Sequence, residues 1–374
     1  MQQFKAGIIT KQGTYKSFEP NIICRQWVVN DMPLINLLTK ADRALGKLDM
    51  YSNYVPNINM FITMHITKEA TQSSKIEGTQ TNMEDAIMDQ ADISAEKRND
   101  WEEVQNYIEA MNTSIANLDK LPYSSRLIKQ AHKILLQSVR GEHKMPGEYR
   151  TSQNWIGGPN ITTATFVPPI HTSIHELMTD IENLVHEEHN ILPDLLKIAL
   201  IHYQFETIHP FLDGNGRIGR LMITLFLVTK GILKKPILYL SDFLEKNRTY
   251  YYDNLTRVRD KNDLLHWFKF FLTGIIETAN KSISTFDAIM QLEKQINEKI
   301  KTLGTRQTKA QLVLNYLYQK PTLNAQVVQK IIGSKTATAY KLIEDLVRLK
   351  IIVETTGFQR NKTYIFEDYL KLFK

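Results

Sequence analysis

Through most of the chain, apolar residues return every three or four positions, the period of an amphipathic helix. In WEEVQNYIEAMNTSIANL, Trp101 to Leu118, one stripe carries Val104, Ile108, Met111 and Ile115. DLLKIALIHYQFETI (Asp194 to Ile208) and RLMITLFLVTKGI (Arg220 to Ile232) are apolar nearly all round, which predicts two central, buried helices. LLHWFKFFLTGIIETANKSISTFDAIMQLEKQINEKI continues the helical period to Ile300. The pattern changes between Tyr149 and Pro169. There YRTSQNWIGGPNITTATFVPP alternates polar residues with β-formers around Gly157-Gly158-Pro159-Asn160, and a hairpin is predicted. Ser173 and Glu176 then have the spacing of a capping box that restarts a helix. A β-like segment precedes the first helix and runs to about Trp27.

A boundary is predicted near Gly304, in LGTRQTKAQ. Beyond it, KAQLVLNYLYQ, NAQVVQKIIG and KTATAYKLIEDLVRLK read as three short helices, and IIVETTG and KTYIFE as two strands. Three helices and a β-wing resemble a winged helix whose third helix begins near Ser334. Charge sharpens this division. From Lys301 to Lys374 there are 13 Lys and Arg against 5 Asp and Glu, a net of +8 in a chain whose total is +6. A basic tail of this kind suits DNA or an acidic protein partner, and equally a plain solvated surface.

The 374 residues suggest two or three domains, here 1–100, 101–300 and 301–374. Cys24 stands alone, so no internal disulfide forms and a reducing, cytoplasmic setting is expected. The first residues, MQQFKAGIITKQGTYK, lack the apolar core of a signal peptide. The most apolar run, LMITLFLV, is much shorter than the ~20 residues that span a bilayer, so no membrane partner is expected. Association as a homodimer is left open.

The segment HPFLDGNGRIGR, His209 to Arg220, concentrates glycine and opposite charges. Gly214, Gly216 and Gly219 fit a dinucleotide fingerprint, but that motif requires a preceding strand and a helix stands there instead. A Walker loop is absent. Glycines that merely join two helices, with surface arginines, are another reading. A third is an anion nest: Pro210 stops one helix, Gly214-Asn215-Gly216 aim successive N–H groups into one concavity, and the next helix adds its positive dipole end. Arg217 and Arg220 lie i, i+3 on its first turn. Asp213 would repel a phosphate unless a divalent cation such as Mg²⁺ stood between them. His209 is the one group there able to take a proton near neutral pH.

HPFLDGNGRIGR resembles the full motif of the Fic family, H-P-F-x-[DE]-G-N-G-R-x-x-R, with no departure at a defined position. The resemblance, covering about Phe18 to Ile300, implies a mainly α Fic (Fido) core with a β-hairpin flap, followed by the winged helix. It implies transfer of AMP from ATP, with Mg²⁺, to a Tyr, Thr or Ser hydroxyl of a target protein or of the enzyme itself. Carried over by position, His209 is the base and Asp213 the metal ligand. Gly214, Asn215, Gly216, Arg217, Ile218, Gly219 and Arg220 form the nucleotide cradle. Tyr251 and Tyr252, in NRTYYYDNLTRVRDKND, align near the adenine, with Arg259 where the family often has an amide. The target is expected to add as a strand on the flap near Asn160.

Upstream, EATQSSKIEGTQ places Ser73 and Glu77 i, i+4 on a helix that Gly78 can end. By spacing alone this is a helix end with a surface glutamate. It also resembles the family's inhibitory motif, [ST]-x-x-x-E-[GN], which implies that Glu77 pairs with Arg220 and holds ATP out of line. The same glutamate orients a hydrolytic water in some relatives, so removal of AMP is an alternative. A nucleotide-sensing DNA-binding regulator is another. His202, seven residues before His209, reads as a core histidine, and His143, His171, His175, His186 and His189 show no metal-ligand spacing.

Overall fold

The computed structural model describes residues 4–55, 57–137, 142–187, 192–357 and 362–373. Two strands open the chain, β1 (Gly7–Gln12) and β2 (Tyr15–Pro20), paired antiparallel with Gly7 opposite Pro20. The strand pattern stops at Pro20, short of Trp27. From there Asp180 takes over, accepting from the N–H groups of Ile23 (2.6 Å) and Cys24 (3.1 Å), and Trp27 is buried.

Helices follow: α1 (Met32–Tyr54), α2 (Ile58–Ile76), the short α3 (Met83–Ala86), α4 (Arg98–Asn117) and α5 (Ser125–Leu135). After an irregular stretch come α6 (Ile174–His186), α7 (Asp194–Ile208), α8 (Asn215–Thr229), α9 (Ser241–Lys246), α10 (Arg248–Lys261) and the 38-residue α11 (Leu264–Lys301). The two segments apolar on all sides lie where that pattern predicts. Every residue of α7 from Leu195 to Ile208 is buried, as is α8 from Asn215 to Leu227. They pack on each other at the centre, with α2, α4 and α5 against α8 and with α11 running alongside both α1 and α7.

Two local expectations are corrected. The predicted flap hairpin reduces to one antiparallel bridge, Ile156 with Phe166. Gly157 and Gly158 take φ of 70° and 77°, and Asn160 Oδ1 accepts from the N–H groups of Thr162 and Thr163, so the loop bonds to itself and not across. Pro168 and Pro169 then offer no donors to a longer ladder. The capping box also fails. A 3-10 turn, His171–Ser173, gives Ser173 φ −80° and ψ −12°, and its side chain makes no cap bond. An N-cap serine needs extended backbone to reach forward.

The C-terminal unit contains α12 (Gln307–Leu317), β3 (Thr322–Asn324), α13 (Ala325–Ile332), α14 (Thr336–Arg348), β4 (Val353–Glu354), β5 (Thr363–Ile365) and α15 (Glu367–Lys371). Its sheet has the order β3-β5-β4, both pairs antiparallel. The order is that of the three helices and two strands expected, with the added strand β3 and the third helix starting at Thr336. This unit packs on α2 and the chain just after α3. Phe61 meets Tyr318 edge-on at 5.3 Å, His65 meets Phe373 at 5.1 Å, Thr322 donates to the Ile87 carbonyl, and Lys320 pairs with Asp89. Among the described residues, no helix is long and apolar enough to cross a membrane.

Candidate active site

The turn from α7 to α8 is built by bracing backbone. Proline at 210 prevents α7 from continuing, and His209 caps it in the left-handed region at φ 49°, ψ 60°. A histidine there is uncommon and needs support. Its N–H donates to Phe205 O (2.9 Å), and its carbonyl accepts from Arg150 Nε (3.0 Å). The buried Arg150 guanidinium also donates to the carbonyls of Ser152 and Pro169, which ties the flap's base to the turn. One step on, the Asn215 side chain accepts from Phe211 N–H (2.8 Å) and donates to Phe211 O (2.9 Å).

His132 holds the other side. Its ring stacks on Phe211 at 3.7 Å and 8°, and its Nδ1 accepts from Gly147 N–H. The proton therefore sits on Nε2, which donates to Asp213 O at 3.0 Å. Burial pushes this imidazole down to about 4, which keeps it neutral in that role. Gly214, at φ 74°, then starts α8 at the concavity expected of this turn, its N–H donating to Asp213 Oδ1 at 2.6 Å.

Glu77 reaches into that concavity. It follows the last residue of α2, with Gly78 beyond it at φ 107°, as the predicted helix end requires. A Cβ on Gly216 would collide with Glu77 Oε1 and approach Arg220 Nη1 to 2.9 Å. Arg220 donates to Glu77 Oε1 at 2.6 Å through Nη2, to Ser73 O at 2.9 Å, and to Ser73 Oγ at 2.8 Å through Nε. The Arg220 side chain is 1% exposed and that of Glu77 35%, so the arginine is shielded from water and the carboxylate only in part. Burial opposes charge on both, and their mutual attraction wins: the Glu77 carboxyl is held below the usual range and the Arg220 guanidinium raised. Arg217, also buried, pairs with Glu103 of α4 at 3.0 Å and faces Asp213 at 3.6 Å.

His209 is half-buried and its Nδ1 has no hydrogen-bond partner among the described residues. Burial, partly offset by the Glu77 charge, lowers it to about 4, so at neutral pH the ring is an unprotonated base. Glu206, one turn earlier on α7, is buried with Oε1 unpartnered, and burial raises it to about 7 against the pull of Arg220.

Several expected positions shift in role. Ile218 is fully buried in the core, and Gly219 abuts Glu206 and Phe205 of α7 while its carbonyl bonds His202, so neither presents a side chain to the nest. The Asn215 amide has one bond from and one bond to Phe211, which fixes the side chain at the turn. Tyr251 is a core residue, 0% exposed, its hydroxyl 2.9 Å from His202 Nε2. Tyr252 is exposed, and burial, then the Glu77 charge, pushes its phenol up to about 12. Arg259 stacks over Phe166 at 4.0 Å. His202 is the satisfied core histidine expected, and His189 lies outside the described residues. Arg150, His132, Glu103 and Glu206 carried no signal in the sequence beyond their ionisable side chains. Each comes from outside the motif or from an unremarkable helix position.

Asp213 is exposed at the lip, with Oδ1 accepting from Gly214 N–H at 2.6 Å. No group of three His, Cys, Asp or Glu among the described residues is placed to hold a metal alone. A cation here would draw its other ligands from phosphate oxygens and water, the way Mg²⁺ is usually held. The residues present fit that ion.

A helical core in which a buried glycine-rich helix start lies beside a left-handed histidine defines the class: Fic-fold proteins. The chain belongs to the Fic/DOC family. The model of the family's N-terminal region matches residues 35–116, and that of the Fic domain matches residues 122–227. It is 28% identical over 209 residues to Protein adenylyltransferase Fic of Drosophila virilis, covering 55% of this chain and 39% of that protein. It is 40% identical over 90 residues to a probable protein adenylyltransferase of Aquifex aeolicus, covering 24% and 26%. The chain thus spans well under half the length of these relatives. Among solved structures, a Fic family protein from Desulfovibrio desulfuricans G20 aligns with a TM-score of 0.59 at 19% identity, covering 91% of this chain and 98% of that one. Fic-1 from C. elegans aligns at 0.52 and 20% identity, covering 70% and 75%. These likenesses show the fold.

Proposed function

We propose that the protein is an adenylyltransferase that moves AMP from ATP to a hydroxyl side chain of a protein, and that Glu77 restrains it. The observation that carries this reading is the overlap of Glu77 with the space above Gly216, in a nest whose arginine it also occupies. A carboxylate sits where the helix start and Arg220 would otherwise receive a phosphate. Names of relatives as protein adenylyltransferases support the same chemistry.

In this reading His209, neutral and beside the nest, takes the proton of the incoming hydroxyl. The hydroxyl oxygen bonds the α-phosphorus, the bond to the bridging oxygen breaks, and pyrophosphate leaves. The N–H groups from Gly214 to Gly216, with Arg217 and Arg220, bind and orient the phosphates. Asp213 would hold Mg²⁺, which supplies charge neutralisation to the phosphate oxygens. With Glu77 in place, Arg220 is occupied and in-line approach to the α-phosphorus fails. The flap around Asn160, anchored through Phe166 and Arg259, is where a target segment would lie.

The test uses ATP labelled at the α or the γ phosphate, with Glu77→Gly protein and a lysate. Label from α and not from γ, rising roughly 10- to 100-fold over the parent protein, is the expected result. Label from γ, or no gain over the parent, would refute the reading.

A further inference from the structure

Away from the nest, a cavity of about 160 Å³ opens between α2, α9, α11 and Phe373. Three ammonium groups converge on its single well-placed carboxylate. Asp242 receives Lys281 at 2.6 Å, Lys246 at 3.1 Å and Lys68 at 3.9 Å. Lys68 is the least usual of them, because its side chain is only 13% exposed. Burial, with Lys281 beside it, pushes its ammonium down to about 8 despite Asp242. Glu69 also lines the cavity, but its oxygens accept from Ser241 N–H, Ser241 Oγ and the Tyr107 hydroxyl. Glu277, exposed at the mouth, is the remaining carboxylate.

A second observation points the same way. His65 lines the cavity, is 6% exposed, and its Nε2 has no hydrogen-bond partner among the described residues. A buried imidazole nitrogen of this kind costs stability unless something completes it. Asn247 and Ser282, in the same wall, add polar groups that can donate to an oxygen-rich anion.

We propose that this cavity is a binding site for a small phosphoryl-bearing dianion, held by Lys68, Lys246 and Lys281 and completed by His65. Lysine binds phosphate as a movable point charge, and these three share one aspartate while Glu69 is taken up by Ser241 and Tyr107. The site joins α2 to α9 and α11, and it is independent of how the nest is read.

Isothermal titration of the full chain with inorganic phosphate, and separately with glycerol phosphate, tests it. Saturable binding that weakens at least tenfold in both Lys68→Met and Lys281→Met is expected, because methionine keeps the stem packing and removes the charge. Lys75→Met is the control for net charge, since Lys75 sits on the same helix but pairs with Glu245 outside the cavity, and it should bind as the parent does. Tighter binding of glycerol phosphate assigns the site to a phosphate monoester, and tighter or equal binding of inorganic phosphate assigns it to the free ion. No binding of either, or binding unchanged in the two variants while circular dichroism shows them folded, overturns the proposal.

Discussion

Glu77 and Gly216 share one space: the carboxylate lies where any side chain at position 216 would begin. Gly216 has helical backbone, so alanine is conformationally allowed there and its cost is purely the clash with Glu77 and Arg220. Gly216→Ala should therefore destabilise the protein by about 1–3 kcal/mol in the parent background. In the Glu77→Gly background the penalty should shrink by about 1 kcal/mol or more, read from denaturant melts as a double-mutant cycle. Strict additivity would show that the two residues do not compete.

Ser73 secures the arginine that Glu77 engages. Its hydroxyl is the acceptor for Arg220 Nε in a site closed to water. Ser73→Ala leaves a buried charged donor with one partner fewer, and a loss of about 1–3 kcal/mol is expected in urea unfolding. Arg220 retains Glu77 and the Ser73 carbonyl, so labelling from α-ATP should rise less than in Glu77→Gly.

Glu206 and His209 predict opposite trends of stability with pH. The Glu206 carboxyl is raised from 4.5 to about 7, so the folded chain holds a proton that the unfolded chain has lost. Its contribution is complete below pH 4.5 and disappears as pH rises through 7. His209, lowered from 6.5 to about 4, contributes above pH 6.5 and loses that contribution as pH falls through 4. Glu206→Gln should flatten the decline between pH 5 and 7.5 in thermal melts without touching the acid side. An unchanged neutral limb would remove Glu206 as its source.

Arg150 joins the flap's base to the histidine through its fork of donors. Arg150→Met strands the carbonyls of Ser152 and Pro169 and leaves that of His209 only the long bond from Asn154 Nδ2 at 3.4 Å, and about 2–4 kcal/mol should be lost. Arg150→Lys should recover little of it, since one ammonium cannot reach three separated acceptors. Hydrogen exchange should show faster opening at Ile156 and Phe166, the one bridge of the flap. Full rescue by lysine would mean that charge alone matters there.

The comparison between sequence and structure divides along a physical line. The nest was legible because its chemistry needs adjacent residues: a helix stop, a glycine turn and arginines one turn apart all fall between His209 and Arg220. The central helices were legible because burial on every side erases periodic polarity. Facing was not legible: Ile218 lies in the core, Gly219 abuts α7, and Tyr251 on α10 is buried with its hydroxyl against His202. The flap failed because local bonds from Asn160 and two positive-φ glycines outcompeted cross-strand pairing. Arg150, His132 and Glu103 were unreadable, since each lies 59 or more residues from the turn it braces or the arginine it faces.

Helix α2 is hemmed in along its whole length: α4, α8 and α9 contact it, and Phe61 and His65 engage the C-terminal unit. Swinging that rod aside would tear open several packed surfaces at once, whereas Glu77 is its final cap and Gly78 behind it turns the chain at φ 107°. The proposed brake would thus be a latch at the tip of a fixed beam, and uncoiling a single turn would be the least disruptive way to lift it.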